Sequence, residues 1–221
     1  MSGTIDQDDI DLMLSRIKVV SNAEAERLRR PEFEDPAGPA LRKLLKDAGL
    51  PDRHLALTEP DTSGGWGKTF TWLSSKRGTG FLCALIGPRG LGKTQMAAHL
   101  SREVIKAGGR ARFASATRFF MEIKECYRKE AQKTERQVIQ EFAQPKFLTI
   151  DEIGRRGETD WEDRLLFELL NDRYNAMNDT IVLSNHPTVS EFSKAVGDSL
   201  VSRINETGGV IVCDWKSYRT H

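Results

Sequence analysis

Residues 87–94 have the types and the spacing of a phosphate-binding loop. Gly87-Pro88-Arg89-Gly90-Leu91-Gly92-Lys93-Thr94 fits the pattern G-x-x-x-x-G-K-[ST], and it follows the apolar run Phe81–Ile86. Its glycines let the backbone turn N–H groups toward phosphate oxygens, and the helix expected from Thr94 adds the partial positive charge of its N-terminus. We therefore expect Lys93 to reach the β- and γ-phosphates of a nucleotide and the Thr94 hydroxyl to bind Mg²⁺.

A second Gly-Lys-Thr, at residues 67–69, is not expected to bind phosphate. The position of its leading glycine is occupied by Thr62, and no apolar run precedes it. A phosphate-binding loop needs both the strand before it and the glycine that opens the turn.

Two adjacent acids, Asp151 and Glu152, end the apolar run that starts at Phe147. Asp151 is placed to hold the Mg²⁺ ion and Glu152 to orient or deprotonate an attacking water. Asn185, just after the apolar run Ile181–Leu183, can contact the γ-phosphate or that water. A kinase protects its phosphoryl group from water, whereas an adjacent Asp-Glu pair is suited to activating a water molecule. The motifs therefore predict nucleoside triphosphate hydrolysis.

From about Lys76 onward, short apolar runs alternate with helical periodicities, which predicts a parallel sheet covered by helices on both faces. The predicted strands are Phe81–Ile86, Arg112–Ala114, Lys146–Ile150, Thr180–Leu183 and Val210–Cys213. The predicted helices are Thr94–Ala107, Thr117–Lys129, Glu135–Phe142, Trp161–Met177 and Val189–Val196.

Residues 1–60 differ from the rest and are predicted to form a short helical arm, with the ATPase domain at 61–221. Apolar residues recur at helical spacing in the segment Ile10–Val20, and a second short helix is expected at Pro39–Ala48. Prolines interrupt the remainder of the arm. We expect this arm to bind a partner protein. The alternative is that its amphipathic helix folds back on its own domain.

Composition excludes several classes of protein. Lys and Arg total 33 against 32 Asp and Glu, so any nucleic-acid contact must come from a local patch. No run of 18 apolar residues exists, and the acidic N-terminus is unlike a signal peptide. The three cysteines, Cys83, Cys126 and Cys213, form no metal-binding or disulfide pattern, so a cytoplasmic protein without a membrane role is expected.

Together these motifs resemble AAA+ ATPases of the DnaC/IstB group, in particular the DnaC-type helicase loaders. The resemblance rests on Gly87–Thr94, on the Asp-Glu-Ile-Gly run from Asp151, on Leu183-Ser184-Asn185 and on the tail from Gly197 to Arg219. It covers roughly Leu50 to Arg219. It implies an AAA+ P-loop domain with a five-stranded parallel sheet and no C-terminal lid domain, with ATP and Mg²⁺ as cofactors.

The resemblance also assigns two arginines. Arg203 matches the arginine finger that reaches the ATP of a neighbouring subunit, which makes hydrolysis depend on self-assembly in the ATP state. Arg219 matches the sensor 2 arginine that contacts ATP in its own subunit. Without the resemblance, a surface ion pair is the favoured interpretation of each.

A basic and aromatic segment follows the second predicted strand. Between Arg102 and Arg136 there are ten Lys or Arg and five Glu. In initiator-type AAA+ proteins a helix at this position contacts single-stranded DNA, and cations with aromatic faces suit that ligand. The alternative is that Phe120, Ile123 and Tyr127, which recur at helical spacing, belong to the core. The candidate DNA-binding residues are Phe119, Phe120, Lys124, Tyr127 and Arg128.

The resemblance implies an ATP-dependent loader that delivers a hexameric, DnaB-type replicative helicase onto single-stranded DNA, binding the helicase through residues 1–60. Hydrolysis is then coupled to release. The short arm favours phage replication. Two alternatives remain open at this point: an IstB-like transposase helper that binds duplex DNA, and an adaptor that is switched by ATP without catalysis.

Overall fold

The computed structural model describes residues 38–55, 60, 62–155, 157 and 159–217. Its strands are β1 (Leu82–Ile86), β2 (Ala111–Ser115), β3 (Phe147–Asp151), β4 (Asp179–Leu183) and β5 (Gly209–Val212). Its helices are α1 (Gly38–Asp47), α2 (Gly64–Ser75), α3 (Lys93–Lys106), α4 (Ala116–Glu125), α5 (Glu135–Ala143), α6 (Asp160–Asn175), α7 (Val189–Val196) and α8 (Asp198–Thr207). Short 3₁₀ turns lie at Asp52–His54 and Ile153–Arg155.

The strands form one five-stranded parallel sheet in the order β2-β3-β4-β1-β5 within the described residues. Each predicted strand is present to within a residue or two of its expected bounds. Because the strands are parallel, the carboxyl ends of β1, β3 and β4 meet at one edge of the sheet, where ligands bind in open α/β folds. The fold is thus the predicted α/β architecture.

The core has two layers, one on each face of the sheet. In β1, Cys83 and Leu85 face the cluster shared with α1, α2 and α3, whereas Leu82, Ala84 and Ile86 face the cluster shared with α4 to α8. This alternation follows from the two-residue period of a strand. Burial on both faces explains why the central strand β1 is entirely apolar.

The helix predicted at Pro39–Ala48 is present as α1, and it belongs to the core. Leu45 is fully buried, together with Leu50 and Leu55 beyond the helix. The carbonyl of Ala48 accepts a 2.7 Å hydrogen bond from the N–H of Phe113, so this segment covers part of the exposed edge of β2. The packed unit therefore begins before the predicted boundary at residue 60. The predicted helix at Ile10–Val20 lies outside the described residues.

Two helices, α2 and α8, were not predicted. α2 starts at Gly64-Gly65 and also contains Gly67, which lowers its intrinsic helix propensity. A Cβ on Gly67 would lie 2.0 Å from the carbonyl carbon of Thr62, so packing holds the glycine there. The Gly-Lys-Thr at 67–69 is therefore part of a helix, and no strand among the described residues leads into it.

A buried arginine ties α5, α6 and β4 together away from the nucleotide edge. The guanidinium of Arg173 is fully buried and donates to the carbonyls of Phe142, Ala143, Pro145 and Asp179 at 2.6–3.2 Å. It also donates to the Thr180 hydroxyl at 2.8 Å. These bonds satisfy carbonyls at the end of α5 that have no partner within the helix.

Replacing Arg173 with Met should lower the free energy of unfolding by about 3 kcal/mol or more, because several buried carbonyls lose their donor. Urea unfolding followed by circular dichroism measures this loss. Arg164→Met on the same helix is the control, since Arg164 forms only exposed pairs with Glu135 and Glu168. Equal losses in both variants would contradict the structural role of Arg173.

Candidate nucleotide site

The phosphate-binding loop joins β1 to α3 and has the backbone shape that its glycines permit. Gly90 and Gly92 have φ angles of 91° and 73°, in the left-handed region that residues with a Cβ rarely adopt. Gly92 ends the loop as the residue before α3. The loop N–H groups and the helix N-terminus together form the type of concavity that binds phosphate.

Lys93 is folded back against the loop. Its ammonium group donates to the carbonyls of Gly87 and Pro88 at 2.6 and 2.8 Å, and the side chain is buried. Burial lowers the pKa of Lys93, while the charge of Asp151 opposes that shift. The ammonium of this lysine is thus hydrogen-bonded to the loop backbone, beside the position predicted for phosphate.

Thr94 and Asp151 are 57 positions apart in the chain and in contact in the structure. The Thr94 hydroxyl donates to a carboxylate oxygen of Asp151 at 3.0 Å. The other carboxylate oxygen accepts the N–H of Glu152 at 2.6 Å. Burial raises the pKa of Asp151, and these two hydrogen bonds partly offset the shift. A hydroxyl beside a carboxylate is the hard oxygen donor set that Mg²⁺ prefers.

Glu152 has a φ angle of 56°, which is uncommon for a residue with a long side chain. A non-glycine residue in this conformation costs on the order of 1–3 kcal/mol and persists only where its surroundings impose it. The conformation directs the chain away from β3 immediately after Asp151. Backbone strain of this kind is found most often at active sites.

The segments that follow β3 and β4 are in contact through His186. Its Nδ1 lies 2.6 Å from the hydroxyl oxygen of buried Ser184. Its ring packs over Gly154, where an added Cβ would lie 2.8 Å from Cε1. Half-buried Asn185 lies between Ser184 and His186. The sequence signal for this contact was Gly154, the glycine of Asp-Glu-Ile-Gly. A larger residue at this position would clash with the His186 ring.

The family model for the IstB-like ATP binding protein matches residues 69–220. The chain belongs to this family. It is 31% identical over 139 residues to an insertion-sequence ATP-binding protein of Mycobacterium tuberculosis, and 24% identical over 135 residues to the replicative helicase loader DnaC of Escherichia coli K12. Each match covers 61% of this chain and 54% of the relative, so the chain matches about half the length of each relative.

The fold comparison agrees with this assignment. The solved structure of the DnaC helicase loader superposes with a TM-score of 0.63 at 20% identity, covering 74% of this chain and all of that one. At this level of identity the superposition establishes the AAA+ P-loop fold. The resemblance seen in the motifs is confirmed, both for the family and for the fold.

In this IstB-like protein, Arg203 packs against neighbouring residues of its own chain. Its Nη1 donates to the carbonyl of Ser199 at 2.9 Å, and its guanidinium lies 4.9 and 5.7 Å from the ring centroids of Phe167 and Tyr174 on α6. Cation–π contacts of this type are worth on the order of 0.5–1 kcal/mol at exposed sites. Arg219, the other predicted arginine, lies outside the described residues.

Two of the predicted DNA-binding residues are in the core, which corrects the sequence analysis. Phe119 and Phe120 are buried, and the Phe119 ring packs edge-to-face on Phe142 with centroids 4.9 Å apart. They lie on the apolar face of α4, which packs against the sheet and α5. Neither ring presents a face to a base, so the interpretation of these two as core residues is the right one.

Lys124, Tyr127 and Arg128 are exposed. Trp161, which is partly buried against the core, lies beside them. Tyr127 is 58% exposed, and its hydroxyl donates to Glu135 and accepts a 3.1 Å hydrogen bond from the indole N–H of Trp161. The Lys124 ammonium lies 5.4 Å from the Trp161 ring centroid, and Arg128 pairs with Glu125 at 2.6 Å. We call Lys124, Tyr127, Arg128 and Trp161 the aromatic-basic surface. Sequence reasoning missed Trp161 because it lies on α6, 34 positions beyond Tyr127.

Lys93→Ala should weaken ATP binding by about 100-fold, because the loop loses its only lysine and with it charge-assisted hydrogen bonds to phosphate. Titration with a fluorescent ATP analogue measures the affinity. Lys106→Ala, an exposed lysine at the other end of α3, is the matched control and should bind normally. An affinity of Lys93→Ala within threefold of the control would show that the loop is not the phosphate site.

Proposed function

We propose that the protein is an ATP-hydrolysing loader that places a hexameric replicative helicase on single-stranded DNA in the cytoplasm. The observation that supports this choice is the aromatic-basic surface, in which Tyr127 and Trp161 lie together beside Lys124. Tyr127 is exposed, and Trp161 is partly buried against the core. An accessible aromatic ring stacks on the face of an unpaired base, whereas the bases of a duplex are already stacked on one another. This arrangement therefore favours a single-stranded ligand.

The nucleotide chemistry follows from the residues at the carboxyl edge of the sheet. Loop N–H groups and Lys93 bind the phosphates. The Lys93 ammonium gives up its hydrogen bonds to the carbonyls of Gly87 and Pro88 and donates to phosphate oxygens instead. Thr94 and Asp151 would hold a Mg²⁺ ion, and that ion would neutralise charge on the phosphates. Glu152 accepts a proton from the attacking water, and Asn185 orients that water or the γ-phosphate.

Assembly completes the site in this proposal. Arg203 leaves the rings of Phe167 and Tyr174 and reaches the ATP of a neighbouring subunit, so hydrolysis depends on neighbours being in place. Arg219 contacts ATP in its own subunit. The helicase binds through residues 1–60, and hydrolysis releases the loader from the helicase.

A transposase helper is the second candidate, and one observation favours it. The insertion-sequence ATP-binding protein of M. tuberculosis is more similar in sequence than the helicase loader, at 31% against 24% identity. Such a protein would bind duplex DNA. The two candidates share the nucleotide chemistry and differ in the DNA and in the partner.

Arg203→Ala should leave ATP affinity unchanged and lower the hydrolysis rate of the assembled protein by about 10³-fold or more. The rate is measured as phosphate release with single-stranded DNA and helicase present, and Arg118→Ala is the control because it removes an exposed arginine that pairs with Glu122. Normal hydrolysis by Arg203→Ala under these conditions would mean that Arg203 is not the finger. Absence of turnover in the wild-type protein would favour the non-catalytic adaptor.

Tyr127→Ala and Trp161→Ala should each weaken binding of a single-stranded oligonucleotide by about fivefold to 100-fold, because each removes a stacking face. Fluorescence anisotropy measures the affinity for the single strand and for the matching duplex. Trp72→Ala is the control, since Trp72 is a partly exposed tryptophan on α2. Tighter binding of the duplex by the wild-type protein, with no effect of either variant, would favour the transposase helper.

A further inference from the structure

The outer side of the phosphate-binding loop is held by side chains from two distant parts of the chain. The indole N–H of Trp66, on α2, donates to the carbonyl of Gly92 at 3.1 Å. The indole N–H of Trp215, beyond β5, donates to the carbonyl of Leu91 at 2.8 Å. The hydroxyl of Ser217 donates to the carbonyl of Gly90 at 3.3 Å. Three successive carbonyls of the loop are thus bound from outside.

These contacts bear on phosphate binding because each peptide unit is planar. When a carbonyl is held on the outer side of the loop, the N–H of the same peptide unit points to the inner side, toward the phosphate. Glycine-rich segments rotate freely, since Gly90 and Gly92 carry no side chain that limits their dihedral angles. Hydrogen bonds to these carbonyls therefore restrict the loop before phosphate binds, so that less conformational entropy is lost on binding.

The two tryptophans are themselves fixed by packing. Trp66 is buried and stacks on Phe70, with ring centroids 5.4 Å apart, and its edge meets His99 on α3. Trp215 packs on the start of α2, where a Cβ on Gly65 would lie 3.2 Å from its ring. Rigid donors lose little entropy when they bind, so they are effective at positioning a flexible loop.

We propose that Trp66 and Trp215 form a clamp that preorganises the phosphate-binding loop, and that both are positioning residues for nucleotide binding. The proposal rests on the loop being the site of ATP binding. It gives a role to Trp215, which lies in the tail from Gly197 to Arg219: this residue anchors the tail on the loop, four positions before Arg219. It also explains Gly65, whose missing side chain leaves room for the Trp215 ring.

The test uses Trp66→Phe and Trp215→Phe in the full chain, because phenylalanine retains an aromatic ring and loses the N–H donor. Displacement of a fluorescent ATP analogue by inorganic tripolyphosphate reports the affinity of the loop for phosphate alone. Each variant should weaken tripolyphosphate and ATP binding by about two- to tenfold, the range expected for one hydrogen bond. Amide hydrogen exchange in residues 89–93 of the ligand-free variants should become faster, while exchange in β1 and β4 stays as in the wild type.

Trp72→Phe is the matched control, since the same substitution is made on α2 at a partly exposed tryptophan. Tripolyphosphate affinity and loop exchange equal to those of this control would overturn the clamp. A loss of affinity accompanied by faster exchange throughout the sheet would also overturn it, because the tryptophans would then act on stability alone. If the wild-type protein binds tripolyphosphate no better than Lys93→Ala does, the nucleotide site itself is wrong, and the clamp fails with it.

Discussion

The parallel pairing of β4 with both β1 and β3 is the constraint on which the site depends. It aligns the ends of three strands at one edge, so that Asp151 meets Thr94 through a 3.0 Å hydrogen bond and Asn185 follows β4 nearby. Slippage of one strand by a single residue would turn its side chains to the opposite face. The two buried layers prevent such slippage, because each face of the sheet has its own apolar set. The chemistry at the edge is therefore held by the core beneath it.

Several features of the site carry an energetic cost that the rest of the fold offsets. Glu152 has a left-handed backbone, and the ammonium of Lys93 is buried against carbonyls. The Arg203 guanidinium contacts Phe167 and Tyr174, and its Nε is buried without a hydrogen-bond partner among the described residues. In the proposed mechanism, Lys93 exchanges these carbonyls for phosphate oxygens, and Arg203 exchanges the two rings for the ATP of a neighbouring subunit. Two alternative sets of partners for one group are what a conformational switch requires.

The sequence predicted the features that depend on local pattern. The strands were found because they are short, apolar and bounded by turns, and the phosphate-binding loop because its residues are contiguous. Contacts between distant segments were not predictable: Ala48 with Phe113, His186 with Gly154, and Trp66 with Gly92. The assignment of Phe119 and Phe120 to a DNA surface failed for the same reason. The sequence does not show which face of α4 is buried, whereas the packing of Phe119 on Phe142 does.

The most direct test of the loader function is size-exclusion chromatography with light scattering, using the full-length protein, ATP and the hexameric replicative helicase of the same cell. We expect a stable complex that forms with ATP and dissociates when ATP is hydrolysed in the presence of single-stranded DNA. Absence of any complex with the helicase, together with ATP-dependent binding of duplex DNA, would rule out the loader function. That result would identify the protein as a transposase helper instead.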